Sequence, residues 1–137
     1  MRLKSLCVGF LAGVLGLGAM SCASGPDLPK KEMPAGATFS GRWISNEYGD
    51  MRMTQRADGG VHGTFDFRTG GTVDGVVQGG VLVFDWVQPG DFQVGRREVR
   101  GKGYFVISDE GQEFDGEWGM GDKYTGGGKW TGRKLNE

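Results

Sequence analysis

From Phe39 onward, apolar and polar positions alternate with a period of two, the pattern of half-buried β-strands. Phe39, Gly41 and Trp43 alternate with Ser40, Arg42 and Ile44, and Met51 and Met53 with Arg52 and Thr54. Val61, Gly63, Phe65 and Phe67 alternate with His62, Thr64, Asp66 and Arg68. Val73, Gly75 and Val77 follow, and then the nearly continuous apolar stretch Val81–Val87. Val99, Gly101, Gly103, Phe105 and Ile107 mark a longer strand; Phe114, Gly116 and Trp118 form the next, and Gly128, Trp130 and Gly132 the last. The breaks are turn-forming: Asp58-Gly59-Gly60, Gly70-Gly71, Gly79-Gly80 and Asp109-Glu110-Gly111, whose glycines suit tight hairpins. No stretch carries a helical stripe. Short strands joined by short hairpins predict an all-β domain over residues 39–134. Its expected form is an eight-stranded antiparallel up-and-down β-barrel, a meander closed so that no edge is left open.

Glycine has a regular place in this pattern. It stands two residues before an aromatic on the same face at Gly41/Trp43, Gly63/Phe65, Gly103/Phe105, Gly116/Trp118 and Gly128/Trp130. Glycine there makes room for a neighbouring strand's ring and lets the sheet coil tightly. The inward set is Trp43, Phe65, Phe67, Phe84, Trp86, Phe105, Phe114, Trp118 and Trp130, enough rings to fill most of so narrow a barrel. Trp43, Trp86, Trp118 and Trp130 are the candidates to line any interior ligand.

Ahead of the strands, Ala23–Thr38 carries three prolines, two glycines and several charges without a hydrophobic period, and reads as a flexible tether. As coil it would reach on the order of 20–25 Å. Ahead of that, Arg2 and Lys4 give a positive start, Leu6–Leu17 is apolar or glycine throughout, and Gly18-Ala19-Met20-Ser21 leads into Cys22. The apolar run is about 15 residues, against roughly 20 for a membrane-spanning helix. This is the grammar of a secretory signal. Small residues before a cysteine make it resemble the bacterial lipoprotein signal, in which that cysteine is lipidated and begins the mature chain. The family pattern prefers Leu three residues before the cysteine, where this chain has Ala19. The resemblance implies a signal peptide over 1–21, a lipidated Cys22 with its linker over 22–38, and a palmitate-bearing membrane anchor. Ala23 rather than Asp after the cysteine favours the outer membrane over the inner one, its periplasmic and surface faces both remaining open.

The chain has two cysteines, Cys7 and Cys22. One would leave with the signal and the other would carry lipid, so no thiol remains for a disulfide, a metal or a nucleophile. Losing Arg2 and Lys4 takes the formal charge from −1 to −3, which argues against a nucleic-acid partner. Arg96, Arg97, Arg100 and Lys102 form a local basic run, read as a solvated strand face. His62, the only histidine, falls on an outward face. Glu113, Asp115 and Glu117 alternate outward and are expected to pair with Arg100 and Lys102 across strands. Thr125-Gly126-Gly127-Gly128-Lys129 lacks the spacing of a phosphate loop and reads as a turn. No nucleophile–base pair, metal site or cofactor motif is evident, so the expectation is a non-catalytic protein.

Several segments resemble avidin-type barrels, relatives in architecture of the lipocalins. Gly41-Arg42-Trp43 is similar to their opening Gly-Thr-Trp, Asp58–Phe65 to their second hairpin, and Trp130-Thr131-Gly132 to a late Trp-x-Gly strand. The resemblance implies a small barrel that holds a small ligand. The positions that read biotin in that family are not matched: Asn46 is displaced by one residue, and Asp50 stands near the expected Ser.

An up-and-down barrel places alternate connections at one end. The longer ones carry Tyr48, Phe92 and Tyr124, the candidate binding-loop residues, and both termini fall at the opposite, tight-turn end. The tether is thus expected to attach opposite the aromatic loops. The leading expectation is a lipid-anchored envelope protein that contacts an envelope protein partner. The alternative is a binder of a small apolar ligand inside the barrel.

Overall fold

The computed structural model describes residues 27–136, and in them the alternation becomes eight antiparallel strands closed into a barrel in chain order. They are β1 (Gly41–Ser45), β2 (Gly49–Gln55), β3 (Gly60–Phe65), β4 (Gly71–Gln78), β5 (Val81–Gln88), β6 (Val99–Ile107), β7 (Glu113–Met120) and β8 (Gly128–Lys134). The described residues hold one helical turn, of 3-10 type, at Phe92–Val94. Residues 1–26, which include the expected leader and Cys22, lie outside the described residues.

The register explains the glycines. Val61 faces Gly75, Gly75 faces Phe84, Phe84 faces Gly103, Gly103 faces Trp118, and Trp118 faces Gly128. Small and large residues thus alternate around one level of the interior. A second row runs Leu82, Phe105, Gly116, Trp130. The interior of so small a barrel is just wide enough for side chains to fill, so a ring on one strand needs an empty Cβ position on the next. A Cβ at Gly103 would stand 2.6 Å from Phe84 Cζ and 2.7 Å from the Glu117 carbonyl oxygen. The rings meet at the centre, where Phe105 stacks on Phe114 with centroids 3.9 Å apart and Trp130 lies edge-on to Phe65, Phe84 and Phe105.

The strand order closes through β1 and β8, the shortest pairing of the barrel, with Trp43 opposite Lys134 and Ile44 opposite Arg133. Phe39, expected to start the first strand, instead leaves the ladder and plugs the tight-turn end. Its side chain is fully buried, its N–H donates to Gln55 Oε1 (2.9 Å), and its carbonyl accepts from Trp43 Nε1 (2.9 Å). Lys134 closes the same end, donating to the Thr38 carbonyl (2.9 Å) with its ammonium 4.9 Å from the Trp43 ring. Burial lowers the Lys134 pKa from the ordinary lysine range.

Residues 28–38, expected as tether, lie against the barrel. Met33 and Ala37 pack on the core, and the Lys31 carbonyl accepts from Gly80 N–H (2.6 Å). The Lys31 ammonium donates to the Ile107 carbonyl (2.7 Å) and pairs with Asp109 (2.8 Å). From Lys31 back to Leu28 the chain forms a strap on the outer wall, where Leu28 shares a cleft with Val83 and with Tyr124 of the last connection. Val81 points outward yet is only 2 % exposed, because the strap lies over it. Composition alone favoured coil here. What overrides it is the apolar surface of Met33, Ala37 and Phe39 and the reach of one lysine, while Pro29 and Pro34 bring no N–H that needs a partner. The expected exit at the tight-turn end is corrected accordingly: β1 starts there, but the chain before it turns back along the wall.

The ring-over-glycine rows set a clear expectation for overpacking. Gly103→Val should lower unfolding free energy by about 1–3 kcal/mol, while Thr64→Ala on the outward face of β3 stays within about 0.5 kcal/mol of wild type. Urea unfolding followed by tryptophan fluorescence measures both, and equal stability of the two variants would contradict the packing account.

Candidate functional site at the barrel mouth

The end of the barrel opposite Phe39 is built from the connections after β1, β3, β5 and β7. Its foundation is Ser45, whose Oγ accepts from the N–H groups of Glu47 (3.3 Å) and Tyr48 (3.1 Å) and donates to Glu47 Oε1 (3.1 Å). This local turn chemistry aims two side chains. Glu47 reaches β8, where Oε1 accepts from Thr131 N–H (2.8 Å) and its carboxylate also accepts from the Thr131 hydroxyl (3.0 and 2.9 Å). The carboxylate thereby continues the β1–β8 seam past the point where backbone pairing stops. Burial pushes the Glu47 pKa up, but the hydrogen bonds from Thr131 and Ser45 outweigh it and hold the group below the ordinary glutamate range.

Tyr48 turns back over the mouth. Its ring lies edge-on to Phe67 (5.1 Å), Trp118 (6.2 Å) and Trp130 (5.0 Å), and its hydroxyl accepts from Trp118 Nε1 (2.8 Å). Beneath it lies a cup of about 80 Å³ walled by Phe65, Phe67, Trp86, Trp118 and Trp130, with Gln88 as its polar member. Trp86 Nε1 donates to the Gly119 carbonyl (3.1 Å) and Gln88 Nε2 to the Phe67 carbonyl (2.8 Å). Trp130 Nε1 is buried and has no hydrogen-bond partner among the described residues.

Outside the cup, the connection 89–98 forms a small hairpin of its own. Asp91 and Arg96 exchange backbone hydrogen bonds (2.8 and 2.9 Å), the Asp91 side chain caps the 3-10 turn by accepting from Gln93 N–H (3.0 Å), and Gly95 takes the left-handed conformation (φ 69°) that ends it. The Thr69 hydroxyl donates to the Pro89 carbonyl (3.0 Å), fastening this hairpin to the β3–β4 connection. The fixed tip projects Phe92, 99 % exposed, and Val94, 63 % exposed. Arg96 and Arg97 behind it are exposed, and neither forms an ion pair with a described residue.

The candidate residues therefore separate. Phe92 is the exposed loop aromatic that the pattern suggested. Tyr48 folds inward because its hydroxyl and ring both find partners in the mouth. Tyr124 lies half-buried on the outer wall, where the Lys102 ammonium sits 5.6 Å from its ring. Of the four tryptophans, Trp86, Trp118 and Trp130 line the cup, whereas Trp43 is buried at the other end against Phe114. Gln88 was legible in retrospect, since it continues the inward parity of Leu82, Phe84 and Trp86. Nothing in the periodicity signals Glu47, which acts on a strand 84 residues away.

The acidic row of β7 pairs differently from the expectation. Glu117 accepts from the Tyr104 hydroxyl (3.0 Å) and Asp115 faces Lys129 (3.7 Å), while Lys102 pairs with Asp85 (2.7 Å) and Arg100 with Glu98 (3.0 Å). The register places Tyr104 opposite Glu117 on β6 and Lys129 opposite it on β8, and Lys129 reaches diagonally to Asp115. Burial, then the bond to Glu117, pushes the Tyr104 pKa up to about 12. His62 sits on the outer wall with Nδ1 2.6 Å from Asp74 Oδ1. No group of three or more His, Cys, Asp or Glu among the described residues is placed to hold a metal. No family model, curated protein or solved structure matches this chain.

Glu47 gives a pH-dependent expectation. Because its folded pKa is lowered, its contribution is complete at neutral pH and is lost as the pH falls below the ordinary glutamate range through the folded value. Glu47→Ala should cost about 2 kcal/mol at pH 7, and its deficit against wild type should shrink in acid. Urea midpoints at neutral and acidic pH test this, and a deficit independent of pH would contradict the role of the carboxylate.

Proposed function

We propose that the protein is a lipid-anchored lipoprotein of the bacterial cell envelope, held through Cys22 in the outer membrane. Its barrel serves as a rigid, non-catalytic module for protein contact within an envelope or surface assembly. The observation that carries this reading is the complete exposure of Phe92 on a loop whose backbone is already fixed. A large ring displayed on a preorganised loop brings much apolar area to an interface and loses little conformational freedom there. Val94 extends the apolar tip, and the exposed Arg96 and Arg97 behind it suit a partner whose apolar pocket has an acidic rim. The packed interior supports this surface role over the alternative of a small apolar ligand held inside. The cup is about 80 Å³, whereas pockets that enclose drug-sized ligands run to about 300–1,000 Å³.

Two measurements test the reading separately. Cys22→Ser should move the protein from the membrane fraction to the soluble fraction, and retention in the membrane would remove the anchoring claim. A photocrosslinking residue in place of Gln93 should capture a discrete partner in intact cells, while the same residue in place of Asp58, at the opposite end, should not. Phe92→Ser with Val94→Ser should abolish that adduct and leave the melting temperature within about 2 °C of wild type. No adduct at position 93, or the same adducts from position 58, would count against the contact surface.

A further inference from the structure

We infer that the partner seated on the Phe92 tip is a second copy of this chain, which receives the tip in the groove between the strap and the outer face of β6 and β7. The inference rests on the contact reading of the Phe92 loop and names its partner. The groove is open and holds about 420 Å³, with Pro29 and Lys31 of the strap on one side and β7 on the other. Tyr104 and Val106 of β6 give it an apolar part, and Glu113, Asp115 and Glu117 line its β7 side. That volume lies in the range of pockets that enclose a ring-bearing group, whereas the cup at the mouth, at about 80 Å³, does not.

Charge decides between this groove and its neighbour. The cleft on the other side of the strap is of similar size, about 440 Å³, but its lining carries Lys30 and Lys31 and no carboxylate. Arg96 and Arg97 would meet like charge there. In the β6–β7 groove both lining lysines are already engaged, Lys31 with Asp109 (2.8 Å) and Lys129 with Asp115 (3.7 Å). Glu113 and Glu117 form no ion pair with a described residue. Two arginines without a counter-ion behind an exposed ring thus match two carboxylates without one beside an apolar floor. The two carboxylates stand four residues apart on β7, roughly 13 Å, which leaves a ring room between them.

Tip and groove belong to different copies. The hairpin joins β6 at Val99, and Val106 in the groove is seven residues further along that strand, roughly 23 Å away. The hairpin is also fastened the other way, to the β3–β4 connection through Thr69 and Pro89. A copy therefore offers its tip to one neighbour and its groove to another. Such a contact is heterologous, and copies add head to tail.

Photocrosslinking in intact cells tests this, with two full-length chains bearing different epitope tags and the photocrosslinking residue in place of Gln93 in one of them. The adduct should carry both tags, and the captured peptide should map to residues 104–117 of the acceptor. Glu113→Lys with Glu117→Lys in the acceptor should lower the two-tag adduct about tenfold or more. Arg96→Glu with Arg97→Glu in the donor should lower it equally against a wild-type acceptor and restore it against the charge-reversed one, which also shows that the reversed acceptor folds. Capture outside the groove, insensitivity to the acceptor's charge reversal, or failure of the reversed tip to restore the adduct overturns the inference. An adduct with a different protein alone leaves the contact surface standing and overturns this choice of partner, whereas no adduct at all removes both.

Discussion

A tryptophan or phenylalanine inside an eight-stranded barrel takes the room of two ordinary side chains, and the space must come from the neighbouring strand. Glycine supplies it at Gly75, Gly103, Gly116 and Gly128, each opposite a ring. This one constraint ties together the register of five strands, β4 to β8, because a slip by one residue would turn the rings outward and a slip by two would set ring against ring. It also accounts for a core held together without disulfides among the described residues. The rings are large enough to bury much apolar surface, and the glycines let them do so in a narrow space.

The two ends of the barrel are closed in different ways, and that difference gives the molecule its polarity. At one end Phe39 is driven fully into the core and Lys134 lies over Trp43. At the other, Tyr48 only partly covers the opening, held by its hydroxyl to Trp118. Ser45 links that arrangement to the seam, since the same hydroxyl that positions Tyr48 also orients Glu47 against Thr131. Barrel closure and the shape of the mouth therefore share one short turn.

The strands, their order and the inward rings were legible because each depends on a period of two, a signal carried within each segment. Phe92 was legible as a ring on a long connection. Tyr48 and Tyr124 carried the same local signal, yet their positions are decided by partners far away in sequence, Trp118 and Lys102. The same is true of Glu47, whose partner Thr131 lies on the last strand. The outer-wall strap shows the reverse error. Its prolines and charges are those of coil, and only the placement of Gly80, Ile107 and Asp109 around Lys31 turns it into docked structure. Parity within a strand is readable from one chain, whereas a contact between a connection and a distant wall is not.

The strap has a mechanical meaning. A pull on the chain from the N-terminal side does not act on the first strand directly. It arrives at the strap, where Leu28 shares a cleft with Val83 and Tyr124 and Lys31 is held by Gly80, Ile107 and Asp109. None of these contacts is a rung of the barrel's strand pairing, so their loss would lengthen the connection ahead of β1 without opening the barrel. The strap thus lies in the load path between the barrel and the chain upstream of it.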